Sequence, residues 1–172
     1  MKIIIRPFKK GDGSGVIGCF NNGMIKGINK YTGSNTPGNS ADARALNKQY
    51  SAGRGNNFGF IALEQNSRKV VGACFFSARP EGRTRHKGEV SCGVDPDYLM
   101  QGIGTKLLKK TINKASKTGF ERIEAEVAKG NKASIKLAEC CGFKLEGIKR
   151  KGLVLDDRTY MDVYVYGMLI QK

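Results

Sequence analysis

The sequence holds no run approaching the roughly 18 consecutive apolar residues that a membrane span requires, so no membrane association is expected. Its opening, Met1-Lys2-Ile3-Ile4-Ile5-Arg6-Pro7, is far too short for the apolar core and flanks of a signal peptide. A soluble, cytoplasmic protein is the expectation. Histidine occurs once, at His86, among Arg83, Arg85 and Lys87. A lone imidazole without a cysteine cluster assembles no typical metal site, and a solvated or strand-end His86 is expected instead. The five cysteines (Cys19, Cys74, Cys92, Cys140 and Cys141) are odd in number and show no C-x-x-C spacing. They suggest neither a disulfide framework nor a zinc site and read mostly as small buried hydrophobes.

Acidic residues are also scarce, 15 against 30 lysines and arginines, for a formal net charge of +15. Such an excess attracts polyanions over long range. Nucleic acid, the ribosome and phosphate-rich cofactors are the candidate partners, beside the reading of a merely solvated basic surface. No aromatic-interleaved basic motif, zinc finger or helix-turn-helix accompanies the charge.

What is present fits one domain spanning residues 1–172, long enough to bury a core without disulfides or metal. Ile3 to Pro7 reads as a first strand, and Asp12 or Ser14 as the cap of a helix beginning near Val16. Residues 21–57 are rich in Gly, Asn and Ser and read as a mobile flap or an irregular surface loop, with a short helix over 42–49 capped by Ser40. Phe60 to Leu63 and Lys69 to Phe76 read as a hairpin. A strand from Glu89 to Val94, stopped by Asp95-Pro96-Asp97, makes a third antiparallel neighbour.

Beyond it, Ile103, Leu107, Leu108, Ile112 and Ala115 recur at helical spacing up to Gly119. Ile123, Ala125 and Val127 then alternate with Arg122, Glu124 and Glu126, as in a strand with one wet face. Strand, helix and strand in this order favour a crossover into parallel neighbours. A second helix has Asn131 as cap, Ile135, Leu137, Ala138 and Cys141 inward, and Gly142 as terminator. A strand starts at Phe143, a strand-and-turn region covers Gly152 to Asp157, and Tyr160 to Leu169 is rich in strand formers.

Gly102-Ile103-Gly104-Thr105-Lys106 lies where a loop opens a helix. Unpaired N–H groups at such an end, with about half a positive charge from the helix dipole, bind anions, and the glycines let phosphate oxygens approach the backbone. Neither a dinucleotide G-x-G-x-x-G nor a P-loop is present.

The ordered set of Gly93-Val94-Asp95-Pro96-Asp97-Tyr98, then Gly102 to Leu108, then Asn131-Lys132-Ala133-Ser134-Ile135-Lys136-Leu137-Ala138-Glu139 running into Gly142-Phe143, resembles the GNAT superfamily of N-acetyltransferases. The likeness covers Phe58 to the C-terminus well and the first third loosely. It implies a single-domain α/β (α+β) fold, a mixed and mostly antiparallel sheet flanked by helices, with splayed central strands ending near Val94 and Val127. It also implies acetyl-CoA as co-substrate, its pantetheine arm between those strands and bonded by the Val94 backbone. Gly102, Ile103, Gly104, Thr105 and Lys106 are then the pyrophosphate site, with Asn131 near the pantetheine or adenine while also capping its helix.

Two residues depart from the family pattern. Leu99 stands where an Arg or Gln is usual, with Gln101 and Lys106 close in sequence. Ala138 stands where many relatives carry the tyrosine that protonates the leaving thiolate, and Cys141, one turn on, is a speculative substitute. A thiol of pKa about 8.5 leaves fairly well without help. Glu89 resembles the glutamate that some relatives use as a base toward the amine; read from the residues alone it is an exposed strand-edge carboxylate next to basic residues. Asp162, Tyr160 and Tyr164 are candidates to shape the acceptor pocket. The Leu137-Ala138-Glu139 helix with Glu146-Gly147 and Asp162 looks most like the branch of ribosomal-protein N-terminal acetyltransferases. The expected activity is acetyl transfer to a primary amine by direct attack in a ternary complex, with a protein N-terminus as acceptor. The alternatives are a small-molecule amine acetyltransferase (polyamine, amino sugar or antibiotic) and a non-catalytic module binding acyl-CoA, RNA or the ribosome.

Overall fold

The computed structural model describes residues 2–26, 36–51, 56–79 and 82–170. Among them run β1 (Ile3–Pro7), α1 (Gly13–Ile25), α2 (Ser40–Tyr50), β2 (Phe58–Glu64), β3 (Val70–Ala78), β4 (Lys87–Val94), α3 (Ile103–Lys117), β5 (Arg122–Ala128), α4 (Lys132–Cys140), β6 (Lys144–Val154) and β7 (Tyr160–Leu169). No helix among the described residues is long and apolar enough to cross a membrane. Parts of the glycine-rich 21–57 stretch, residues 27–35 and 52–55, lie outside the described residues, so the flap expected there is not described.

The strands form one sheet in the order β1-β2-β3-β4-β5-β7-β6. Every neighbouring pair is antiparallel except β4 and β5, which the α3 crossover makes parallel. Helices cover both faces. Against α3 and α4 lies a core built on Val71, Phe76, Leu107, Ile123, Phe143 and Tyr166. On the other face Val16, Cys19 and Tyr50 of α1 and α2 pack on Ile61, Ala73 and Phe75. This is the layered solution expected when a twisted sheet must bury apolar side chains on both faces.

Local chemistry explains where boundaries differ from the sequence reading. Asp12 occupies the cap position of α1 but makes no side-chain cap. Its carboxylate instead grips Arg6 through two bonds of 2.6 and 2.7 Å and accepts from Lys9 N. The open N–H of Gly13 is taken by Asn47 Oδ1 of α2, at 3.2 Å. Likewise Ser40 lies inside α2 and is not its cap. Asn39 caps it, accepting from Ala41 N at 2.7 Å while Asp42 accepts from Asn39 N at 2.8 Å, a reciprocal arrangement that satisfies two open donors. The strand-and-turn region expected at Gly152–Asp157 is present, with Gly152 to Val154 as the far end of one long β6, which keeps pairing with β7 across a register shift between Lys149 and Leu153, and residues 155–157 entering the turn to β7.

The wet face of β5 is an ion network. Lys87 Nζ lies 2.9 Å from Glu124, Arg122 Nε lies 2.9 Å from the same carboxylate, and the Arg122 guanidinium also clasps Glu146 of β6. Burial pushes the Glu124 carboxyl up, but the bonds from Arg122 and Lys87 outweigh it and hold it below the ordinary value. Arg122 holds Glu146 down in the same way. A carboxylate with a depressed folded-state pKa stabilises the fold above its unfolded value, about 4.3, and loses that contribution as pH falls through the folded value. Replacing Arg122→Met is therefore expected to lower the urea midpoint at neutral pH and to flatten its decline between about pH 5 and pH 3. A variant as steep as the parent over that window would show that these glutamates draw nothing from Arg122.

Candidate functional site

The parallel pair β4–β5 is short. Lys87, Gly88 and Glu89 pair with Arg122, Ile123 and Glu124, and past that rung neither strand pairs with the other. Both continue, to Val94 and Ala128, so the sheet opens between them. The orientation of the free edges follows from bonds at the strand ends. Lys87 O accepts from Arg79 N at 3.1 Å and Asp95 N donates to Val71 O at 2.9 Å, so the odd-numbered residues of β4 turn toward β3. Peptide groups alternate along a strand. Val90, Cys92 and Val94 therefore aim their N–H and C=O groups into the opening. On β5, Arg122 N donates to His86 O and Lys129 N donates to Asp162 O beyond its far end, which turns the peptide groups of Glu126 to the same opening. The gap is thus rimmed by two strand edges ready to bond an extended chain.

At the carboxyl end of β4 the opening widens into a cleft of about 920 Å³. Its walls come from α1, the 36–39 segment, the end of β4, the loop into α3, and α4. Gly102, at the cap position of α3, sits at φ 72, where a Cβ is costly, and offers no side-chain cap. The first intrahelical bond there runs from Lys106 N to Gly102 O. The N–H groups of Ile103, Gly104 and Thr105 precede it and point out of the helix end, with no acidic residue in that turn. A Cβ built on Gly104 meets Leu137 of α4 at 3.4 Å and Val94 at 3.6 Å, so the glycine keeps the passage between loop, strand and helix clear.

Of the residues singled out in the sequence, Val94, Gly102, Ile103, Gly104, Thr105 and Asn131 all line this cleft. Lys106 is exposed on the outer side of α3 and does not. Asn131 caps α4, accepting from Ser134 N at 3.1 Å. Lys136, which the sequence reading passed over, is among the described residues the one lysine in the wall, which Leu99 also lines. Its signal was the i, i+3, i+4, i+7 series Ala133, Lys136, Leu137, Cys140, a single stripe of α4.

The proposed acid–base groups fall elsewhere. Glu89 stands at the last paired rung, its carboxylate bound by Arg79, and does not line the cleft. Ala138 and Cys141 are buried, and burial pushes the Cys141 thiol up. Cys140 reaches the wall instead. Asp162 accepts from Lys151 N and lies 3.5 Å from Lys129 Nζ, Tyr160 is exposed, and Tyr164 packs edge-on to Tyr166, all outside the cleft. His86 sits immediately before β4, an exposed strand-end residue.

One buried carboxylate secures the whole corner. Asp95 has no exposed surface, yet it accepts from Asn22 of α1 at 2.8 Å and from Asp97 N at 3.1 Å, and its second oxygen lies 2.9 Å from Lys69 Nζ at the foot of β3. That hydrogen-bonded pairing, more than any other influence, raises the Lys69 pKa. Asp95 thereby fixes α1, the β2–β3 turn and the loop into α3 to the end of β4.

The chain is similar to known proteins in sequence and in fold. A profile of the Acetyltransferase (GNAT) family matches residues 28–143. The [Ribosomal protein bS18]-alanine N-acetyltransferase of Escherichia coli is 42% identical over 57 residues, which is 33% of this chain and only 38% of that protein. The L-amino acid N-acyltransferase MnaT of Escherichia coli is 27% identical over 139 residues, 81% of this chain and 78% of that one. Among solved structures, a GNAT-family acetyltransferase from Streptococcus pneumoniae superposes with a TM-score of 0.86 at 25% identity, covering 98% of this chain and all of the other. Profile, fold and cleft agree, and the chain belongs to the acetyltransferase (GNAT) family.

Proposed function

We propose that this protein is an N-acetyltransferase that moves an acetyl group from acetyl-CoA to a primary amine, with a protein N-terminus as the acceptor. The observation that carries the reading is that the free edge of β4 beyond its pairing with β5 and the bare N-terminal turn of α3 line one cleft. An elongated ligand with an amide-bearing arm and a diphosphate matches both parts at once. The edge groups of Val94, Cys92 and Glu126 bond the arm as a strand would, and the N–H groups of Ile103, Gly104 and Thr105 receive the diphosphate. Asn131 and Lys136 on α4 flank it, Lys136 supplying the charge that Leu99 does not. The family relationship and the acyltransferase relatives support the same chemistry.

In that arrangement the amine nitrogen attacks the thioester carbonyl directly, the carbon–sulfur bond breaks, and the thiolate leaves. No tyrosine stands at Ala138 to protonate it, and a thiolate of pKa about 8.5 departs without a positioned acid. The protein's contribution is to hold the two reactants in line, which is worth several orders of magnitude in rate. A ribosomal or other protein N-terminus as acceptor is supported by the +15 charge, which draws the enzyme to anionic particles, and by the partial likeness to a bS18-alanine acetyltransferase.

Two measurements test this. Gly104→Val is expected to weaken acetyl-CoA binding at least tenfold by calorimetry, while Gly104→Ala, whose Cβ meets the protein only at ordinary contact distance, keeps the fold by thermal unfolding. Full affinity in the valine variant would remove the loop from the binding site. Glu89→Gln is expected to lower kcat/KM less than about tenfold, because Arg79 already occupies that carboxylate. A general base is worth roughly 10² to 10⁴, so a loss of that size would make Glu89 the base.

A further inference from the structure

The α1 wall of the cleft has a chemical character that narrows the amine that fits beside it. Ile17, Phe20, Asn21 and Met24 of α1 line it, one stripe at i, i+3, i+4 and i+7. Asn21 does not face a ligand freely. Its side chain donates to Gly38 O at 2.9 Å and accepts from Gly38 N at 2.8 Å, strapping the 36–39 segment over the stripe. Ile17 packs beneath that strap, within 3.1 Å of where a Gly38 Cβ would stand. Phe20 lies on the end of β4, its ring 2.6 Å from where a Gly93 Cβ would be, beside the free edge of Val94. Three apolar side chains, each half-buried, thus wall the side of the cleft next to the opening.

Charge points the same way. Among the described residues the one carboxylate in the cleft wall is Asp42, whose Oδ2 accepts from Asn39 N at 2.8 Å in the cap of α2. Glu89, Glu124 and Glu126 are each neutralised by a cation: Arg79, the Lys87–Arg122 pair and Lys149. A polyamine or aminoglycoside, with several ammonium groups to balance, finds no matching set of acids here. Among the described wall residues no histidine and no second carboxylate stands beside Asp42, which is committed to the cap of α2, so the site favours an amine that arrives already neutral. At pH 7.5 an α-amino group of pKa near 8 is about a quarter neutral, whereas a lysine ε-amine near 10.4 is about 0.1% neutral.

We infer that the acceptor is an α-amine whose own residue carries a large apolar side chain, seated against Ile17, Phe20 and Met24, and that the amine enters neutral without an enzymatic base. This rests on the acetyltransferase reading and specifies its substrate class. The nitrogen forms the new bond to the acetyl carbon, its extra proton passes to water, and the thiolate takes the electrons of the broken C–S bond.

The test compares CoA release from acetyl-CoA with short peptides beginning in Leu, Met, Phe, Gly or Asp, and with spermidine and an aminoglycoside. A hydrophobic pocket discriminates by roughly 10 to 200-fold per missing group. Leu-, Met- or Phe-headed peptides are expected to exceed Gly- and Asp-headed ones at least tenfold in kcat/KM, with the polycations lower still. In Met24→Ala, checked for an unchanged unfolding midpoint, that ratio is expected to fall several-fold. The pH profile of kcat/KM is expected to have its midpoint near the acceptor's own amine pKa and to move up when a peptide headed by 6-aminohexanoic acid is used. Preference for spermidine or the aminoglycoside, a ratio unmoved by Met24→Ala, or a midpoint below 7 that ignores the acceptor would overturn the inference while leaving the acetyltransferase intact. No CoA release with any amine, together with no acetyl-CoA binding, would instead overturn the acetyltransferase reading itself.

Discussion

The site depends on a single failure of strand pairing. Two parallel strands meet over three residues and then part, leaving peptide groups on both edges without a ladder partner. Buried or half-buried peptide groups are costly to leave unbonded, so this split must be held open from outside. At its base the Lys87, Glu124, Arg122 and Glu146 network ties β4 to β5 and β5 to β6, fixing the apex. At its mouth each strand is drawn to a different helix. Asp95 binds the end of β4 to α1 through Asn22, whereas Asn131 N bonds Ala128 O at 2.8 Å and ties the end of β5 to the start of α4. The strands diverge because their ends answer to elements on opposite faces of the sheet.

The same anchors place the chemistry. Asp95 is a buried charge, and such a group is stabilising only while all its partners remain; removing one leaves an uncompensated charge in the interior. Its position one residue after Val94 means that the strand edge, the loop into α3 and the α1 wall share one hub.

Much of this was readable in the residues because it is local. Runs of strand-forming residues placed β1 and β7 at their observed bounds, and Gly119 and Gly142 do end their helices with positive φ. The loop glycines and Asn131 were legible for the same reason: a cap or an open helix end is decided within four or five residues. What escaped were choices made between distant segments. Asp12 is adjacent to α1 and looks like its cap, but Arg6 across the turn is a stronger partner and takes the carboxylate. Glu89 reads as an unpaired carboxylate until the end of β3 brings Arg79 opposite it. Lys136 looks like one more surface lysine until α4 is laid beside the α3 loop. In each case the residue type was visible and its partner was not, since the partner comes from another element.

The two departures from the family pattern and the character of the cleft form one argument. An enzyme that must deprotonate a lysine-like amine and protonate a poor leaving group needs both an acid and a base at fixed points. Here Ala138 fills the acid's place, buried against the core, and the carboxylates nearest the opening are bound to cations. Neither group is required if the leaving thiol and the attacking amine both have pKa values near 8, because each then changes protonation state through water at neutral pH. The barrier that remains is one of encounter and alignment, the part that a rigid split sheet and an apolar wall lower most effectively. A protein built this way would spend its structure on holding the reactants and would favour those whose own chemistry completes the proton transfers.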